Sequence, residues 1–290
     1  MEIKKVLVVG CGLMGSGISQ VCAQAGINVV LNDISDDILA RARETIAWSV
    51  AKFVEKGKLE EKQQTIMDRI TFTTGFDHVA DVDLAIEAVF ENIDVKQSIF
   101  KRLDETCPHH TLIASNTSAI PITELAAATH RPDRVLGLHF FSPVPMMQAV
   151  EVIRGISTSD ETAAAGSAFV EKIGKTGIMV NRDVAGFVIN RINWPSAIQA
   201  MKLVEAGVAT CADIDKGLRL ASGRKMGIFE TGDMVGLDIT YGALMAVYKE
   251  TGDPAFYPPL MLRRKVKAGH LGRKTGKGWY TYDENGKRID

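Results

Sequence analysis

Val6-Leu-Val-Val-Gly10-Cys-Gly12-Leu-Met-Gly15-Ser-Gly-Ile18 is the stretch that decides the fold of this chain. An apolar, β-branched run stops at Gly10. Glycines recur as Gly10-x-Gly12-x-x-Gly15, and the amphipathic run from Leu13 to Ala25 predicts a helix. Strand, tight turn and helix therefore follow one another. The glycines permit unusual φ, bring backbone close to a pyrophosphate and let helix pack on strand, while the helix start offers free N–H groups, including those of Leu13 and Met14. A second predicted strand, Ile27 to Asp33, ends in an acid 18 residues after Gly15. A carboxylate there accepts hydrogen bonds from ribose hydroxyls and repels a 2′-phosphate, so the expected cofactor is NAD rather than NADP.

Composition sets the outer limits. A length of 290 residues favours two domains, and 46% hydrophobic with 24% charged residues is ordinary for a globular chain with a large core. The net charge of −1, without a basic block, gives no support to nucleic-acid or membrane-surface binding. Cys11, Cys22, Cys107 and Cys211 have neither paired spacing nor a nearby histidine cluster, so neither a metal site nor a disulfide framework is expected. The chain opens directly into its first strand and has no apolar run long enough to span a bilayer, which with free thiols leads to the expectation of a cytoplasmic protein.

Downstream, helical periodicity covers Asp36 to Lys56, Glu60 to Arg69, Asn92 to Thr106, Ile122 to Ala128 and Ser159 to Ile173. Strands are predicted at Ile70–Thr73, Val82–Ala88, Leu112–Ser115, Arg134–Phe141, Ala149–Ile153 and Ile178–Asn181. This alternation predicts an α/β, Rossmann-like domain with a mostly parallel sheet over residues 1–185. From Gly186 the period is helical only, predicting an all-α domain over 186–290, with helices at Gly186–Glu205, Ala212–Ala221, Met234–Glu250 and Pro259–Lys267. The glycine-rich, basic and aromatic tail from Gly272 to Asp283 reads as frayed at its end.

Ionisable groups inside apolar strands are the first candidates for chemistry. His139 and Glu151 sit in consecutive strands joined by the proline turn Ser142-Pro-Val-Pro145, and folding back would bring imidazole to carboxylate, fixing the tautomer and furnishing a proton acceptor near neutral pH. A satisfied core histidine is the plainer alternative. Ser118, in the loop after a sheet strand, is a candidate ligand contact or a helix N-cap. Asn190 interrupts an apolar run as a further polar hook, or as a surface or interdomain hydrogen-bonding group. Ser49, Lys52 and Lys56 form a polar stripe on one helix face, which by spacing alone reads as solvated surface.

Taken in order, Val9-Gly-Cys-Gly-Leu-Met-Gly-Ser-Gly17, Ala114-Ser-Asn-Thr-Ser118, Gly137-Leu-His-Phe-Phe141, Val150-Glu-Val-Ile-Arg-Gly155, Gly186-Phe-Val-Ile-Asn-Arg191 and Gly272-Arg-Lys-Thr-Gly-Lys-Gly-Trp-Tyr280 resemble the bacterial L-3-hydroxyacyl-CoA dehydrogenases, above all those acting on 3-hydroxybutyryl-CoA. The resemblance spans nearly the whole chain and implies NAD-dependent oxidation of a (3S)-3-hydroxyacyl-CoA, in fatty-acid or butyrate metabolism, by a homodimer formed through the helical domain. It implies His139 as base, Glu151 as its partner, Ser118 against the reacting oxygen and Asn190 as substrate-positioning group. For the cofactor it implies Gly10, Gly12, Leu13, Met14, Gly15, Asp33, Glu91, Lys96, Ser118, Ser142 and Lys274. For coenzyme A it implies Ser49, Lys52 and Lys56, which reverses the surface reading of that stripe. Ser142 replaces the family's asparagine and Gln148 a lysine, Gln199 departs from its acidic position, and Arg224 and Lys225 add cations that suit an anionic or otherwise unusual acyl group. A hydroxyacid dehydrogenase with a catalytic lysine is disfavoured, because the Asn190 turn lacks one. A non-catalytic NAD-binding relative would not require His139, Glu151, Ser118 and Asn190 together.

Overall fold

Apolar runs that stop at glycine or at an acid become strands buried on both faces, as a sheet covered by helices on each side requires. The computed structural model describes residues 2–290. In chain order the first part comprises β1 (Lys5–Val9), α1 (Leu13–Gln24), β2 (Asn28–Asn32), α2 (Asp36–Glu55), α3 (Gln63–Met67), β3 (Ile70–Thr73), β4 (Leu84–Glu87), α4 (Ile93–Thr106), β5 (Leu112–Ser115), α5 (Ile122–Ala126), β6 (Val135–Phe140), β7 (Ala149–Arg154), α6 (Asp160–Lys172) and β8 (Thr176–Val180). The eight strands form one sheet in the order β3-β2-β1-β4-β5-β6-β7-β8. Pairing is parallel except between β6 and β7. The order turns back between β1 and β4, the switch point at which open α/β sheets leave a crevice for ligands.

Alternation along β1 divides the core. Val6 and Val8 pack with Ile18, Leu31 and Ile86 on one face, whereas Leu7 and Val9 pack with Val30, Ala85, Phe100 and Ile113 on the other. Helix starts follow local chemistry. Asn92 accepts the Val95 N–H at 3.1 Å to cap α4, and Ser159 accepts the Thr162 N–H at 3.1 Å to cap α6. The helix predicted over 60–69 contracts to Gln63–Met67, and the strand predicted at 82–88 to Leu84–Glu87.

Contacts divide the chain into two compact units, the second being Val188–Asp290. That unit contains α7 (Ile189–Glu205), α8 (Cys211–Ser222), α9 (Ile228–Val235), α10 (Leu237–Thr251) and α11 (Leu260–Lys267). The single helix expected from Met234 is interrupted at Gly236, whose φ of 110° cannot continue a helix, so α9 and α10 are distinct. Asp215 of α8, fully buried, accepts the Phe229 and Glu230 N–H groups at 3.0 Å each and so satisfies the start of α9 from outside.

The tail is ordered rather than frayed. Asp233 accepts the Trp279 and Tyr280 N–H groups at 2.8 and 2.9 Å and the Tyr282 hydroxyl at 3.0 Å, burying all three aromatic residues. Burial pushes the Asp233 carboxyl above its ordinary range, against the pull of those donors. Among the described residues no helix is long and apolar enough to cross a membrane.

Candidate active site

Loops at the carboxyl ends of β1, β2, β4, β5 and β6 carry Gly10 and Gly12, Asp33, Glu91, Ser118 and Ser142 in turn. At the end of β1, Gly10 has φ 95° and donates its N–H to Asn32 O at 2.8 Å. A Cβ on Gly15 would lie 1.7 Å from Gly10 O, so only glycine lets α1 approach the turn this closely. A Cβ on Gly12 would meet nothing within 4 Å. This open cradle lies at the start of α1, where no side chain caps the helix and the first-turn N–H groups of Leu13, Met14 and Gly15 have no intrahelical acceptor. Open backbone with unmatched donors at the positive end of a helix fits the pyrophosphate of a dinucleotide.

Asp33 follows β2 and reaches back to this turn, accepting the Cys11 N–H at 2.8 Å through Oδ2 and the Ile34 N–H at 2.7 Å through Oδ1. Each carboxylate oxygen retains acceptor capacity for a ribose hydroxyl. The Cys11 thiol is pushed up to about 12 by burial and by Asp33, so it remains neutral beside the cradle.

After β4 and β5, three charges organise the floor of the crevice. Lys96 of α4 is buried with its ammonium 2.7 Å from Glu87 and 3.3 Å from Glu91. Glu87 is also buried and accepts the Ser115 hydroxyl at 2.6 Å. Glu91 in turn accepts the Thr117 hydroxyl at 2.5 Å and the Ser118 and Ala119 N–H groups at 3.0 and 3.1 Å. Desolvation opposes its ionisation, yet Lys96 and these donors hold the Glu91 carboxyl below its ordinary range. Glu91 thus fixes the backbone of the Ser118 loop. The Ser118 hydroxyl lies 3.4 Å from Glu91, a long contact that leaves it able to serve a ligand.

His139 and Glu151 face one another directly in the antiparallel β6–β7 ladder. Nδ1 and Oε2 are 2.6 Å apart, and the two side chains are 7% and 0% exposed. With Nδ1 donating to the carboxylate, Nε2 is the free lone pair of the imidazole. Asn116, at the end of β5, accepts the Phe140 N–H at 2.9 Å and ties the Ser118 loop to the strand that carries His139.

The remaining candidates are distributed as follows. Ser142 is half-buried, in the turn after β6 that contains the cis Ser142–Pro143 bond. On α2, Ser49 is half-buried, Lys52 pairs with Glu55 at 2.7 Å, and Lys56 is exposed at the helix end. Asn190 is half-buried in the first turn of α7, and Lys274 pairs with Asp238 at 2.7 Å, both within the second unit. The first unit therefore assembles Gly10, Gly12, Gly15 and Asp33 in one cluster, Glu91, Lys96 and Ser118 in another, and His139 with Glu151 in a third. Lys96 turns its ammonium inward to the two glutamates. Ser118 does not cap α5, whose N-cap is Pro121.

The sequence marks Glu87 only as an acid at a strand end facing the crevice, and gives no role to Ser115, Asn116 or Thr117. Their only signal is that polar side chains close otherwise apolar strands, and the partner of each is set by neighbouring strands rather than by spacing.

Fold and geometry together define a class: a dinucleotide-binding α/β domain whose sheet also carries a buried imidazole–carboxylate couple suited to proton transfer. Residues 5–184 match the 3-hydroxyacyl-CoA dehydrogenase NAD-binding domain, and residues 186–282 match the 3-hydroxyacyl-CoA dehydrogenase C-terminal domain. The chain is 42% identical over 285 residues to a probable 3-hydroxybutyryl-CoA dehydrogenase of Bacillus subtilis, covering 98% of this chain and 99% of that one. It is 41% identical over 288 residues to the mitochondrial hydroxyacyl-coenzyme A dehydrogenase of Sus scrofa, covering 97% and 91%. The crystal structure of (S)-3-hydroxybutyryl-CoA dehydrogenase from Ralstonia eutropha superposes with a TM-score of 0.92 at 42% identity, covering 98% of this chain and 100% of that one. The chain belongs to the L-3-hydroxyacyl-CoA dehydrogenase family, and its first domain is an NAD-binding domain.

Proposed function

We propose that this enzyme interconverts (S)-3-hydroxybutyryl-CoA and acetoacetyl-CoA, with short acyl chains as its main substrates. The observation that carries the proton chemistry is the buried His139–Glu151 contact of 2.6 Å. The choice of a short chain is supported by relatives of 38–44% identity that bear the 3-hydroxybutyryl-CoA name.

In this reading Nε2 of His139 takes the proton of the 3-hydroxyl, and Glu151 stabilises the imidazolium that results. Ser118 donates to the reacting oxygen, with its loop held by Glu91, and Asn190 positions the acyl group. Bound NAD supplies the hydride acceptor. Gly10, Gly12, Leu13, Met14 and Gly15 hold its pyrophosphate, Asp33 holds its adenosine ribose, and Glu91, Lys96, Ser142 and Lys274 serve the rest of its site. Ser49, Lys52 and Lys56 receive the phosphates of coenzyme A by charge and hydrogen bonding. In the reductive direction His139 is the acid. The helical unit is assigned to dimerisation and substrate binding, and the protein to the cytoplasm.

The test is an NADH-consumption screen over 3-ketoacyl-CoA substrates of graded length, with dicarboxylic and cyclic members. The expected result is the highest kcat/KM on acetoacetyl-CoA. A preference for a dicarboxylic chain that Lys225→Ala abolishes would replace the short-chain assignment, and no NADH oxidation with any member would return the chain to a non-catalytic NAD-binding role.

A further inference from the structure

Phe187 is the only residue other than glycine with positive φ among the described residues, at 46°. A bulky side chain is strained there, whereas glycine would adopt the same backbone freely. Gly186 before it has φ 78°, and the Phe187 N–H is anchored to Val184 O at 2.9 Å. The ring is 1% exposed, with its centroid 5.7 Å from that of His139 at an interplanar angle of 54°. Phe141 flanks the same imidazole at 4.5 Å and 55°. Glu151, from β7, is a charged group against the imidazole. A strained backbone held beside a reactive group is a reason to ask what its side chain does. Here it supplies a second aromatic wall to a ring that must gain and lose a proton.

We propose that Phe187 is a positioning residue for His139: together with Phe141 it fixes the imidazole plane against Glu151, excludes water and stabilises the imidazolium through its ring. This rests on the reading of His139 as the base. Aromatic rings attract a cation within about 6 Å of the centroid, and loss of one such contact lowers the proton affinity of the imidazole.

The experiment compares pH profiles of kcat and kcat/KM for wild type, Phe187→Leu, Phe187→Tyr and His139→Gln with acetoacetyl-CoA and NADH. Phe187→Leu is expected to lower kcat roughly tenfold and to move the apparent pKa of the base down by about one and a half units, the size of one desolvated cation–π contact. KM for NADH should stay within about twofold, since the glycine cradle is untouched. Phe187→Tyr, which keeps the ring, should restore both values. Should Phe187→Leu not fold, Phe187→Met, whose unbranched side chain adapts to the vacated space, serves the same comparison. An unmoved pKa with kcat near wild type, or a loss that Phe187→Tyr does not restore, overturns the inference while an inactive His139→Gln leaves the base assignment standing. Turnover by His139→Gln overturns that assignment itself.

Discussion

The Asp33 carboxylate accepts the Cys11 N–H at 2.8 Å, so the acid that closes β2 also holds the glycine turn that follows β1. One side chain thus joins the two halves of the cofactor cradle. Replacing it tests both roles. Asp33→Ala should raise the NADP-to-NAD ratio of kcat/KM by about tenfold or more, the size of a charged hydrogen bond, and should also raise KM for both cofactors because the turn loses its brace. Asp33→Asn, which retains an oxygen acceptor, should change the ratio with a smaller rise in KM. Steady-state kinetics with each cofactor decide this, and an unchanged ratio in both variants removes Asp33 from the ribose site.

Gly12 and Gly15 separate cofactor binding from folding. A methyl group on Gly12 meets open space in the protein, whereas one on Gly15 meets Gly10 O at 1.7 Å. Gly12→Ala should melt within a degree or two of wild type yet bind NADH at least tenfold more weakly, because its methyl occupies the cradle. Gly15→Ala should lower the melting temperature as well. Calorimetry and NADH fluorescence titration measure the two effects, and normal NADH affinity in Gly12→Ala would place the pyrophosphate elsewhere.

The Glu91 carboxyl is held below its ordinary range by Lys96 and the Thr117 and Ser118 donors, against its desolvation. In acid the unfolded chain takes up this proton first. The stability contributed by Glu91 is therefore fully present above the unfolded value of about 4.3 and is lost as pH falls through the lower folded value. Glu91→Gln should flatten the acid limb of a plot of urea midpoint against pH. A limb as steep as that of wild type would show that other carboxylates dominate it.

How much of this was legible in the sequence depends on the range over which each contact is encoded. Gly10 to Gly15 and Asp33 could be read because turn, helix start and strand end are local signals. His139 and Glu151 could be read because consecutive strands fold back through one short turn. Glu91 and Lys96 are legible only through the family resemblance, and their pairing with Glu87 is not, since an inward-facing lysine looks like any other lysine on a helix. The break at Gly236 is not legible, because the apolar period runs on across it. The order of the tail is not legible, because Asp215 and Asp233, which hold it, lie 65 and 49 residues from Tyr280 and Tyr282.

Asp233 gives a direct test of that last point. Removing its carboxylate leaves the Trp279 and Tyr280 N–H groups and the Tyr282 hydroxyl unmatched in the interior, at a cost of roughly 3 kcal/mol or more. Asp233→Ala should unfold at lower urea and release a C-terminal fragment to protease. Asp233→Asn should not recover wild-type stability, because its amide NH2 group would face donors. A protease-resistant tail in both variants would contradict this account of the second unit.

The central claim is that the imidazole of His139, held by Glu151 at 2.6 Å, moves the proton of the substrate hydroxyl. The most direct measurement is single-turnover NADH oxidation with acetoacetyl-CoA by His139→Gln, beside an NADH titration of the same protein. A fall of about 10²- to 10⁴-fold in the rate with unaltered NADH affinity is predicted, the range for loss of a general acid–base group. A rate equal to that of wild type would contradict it.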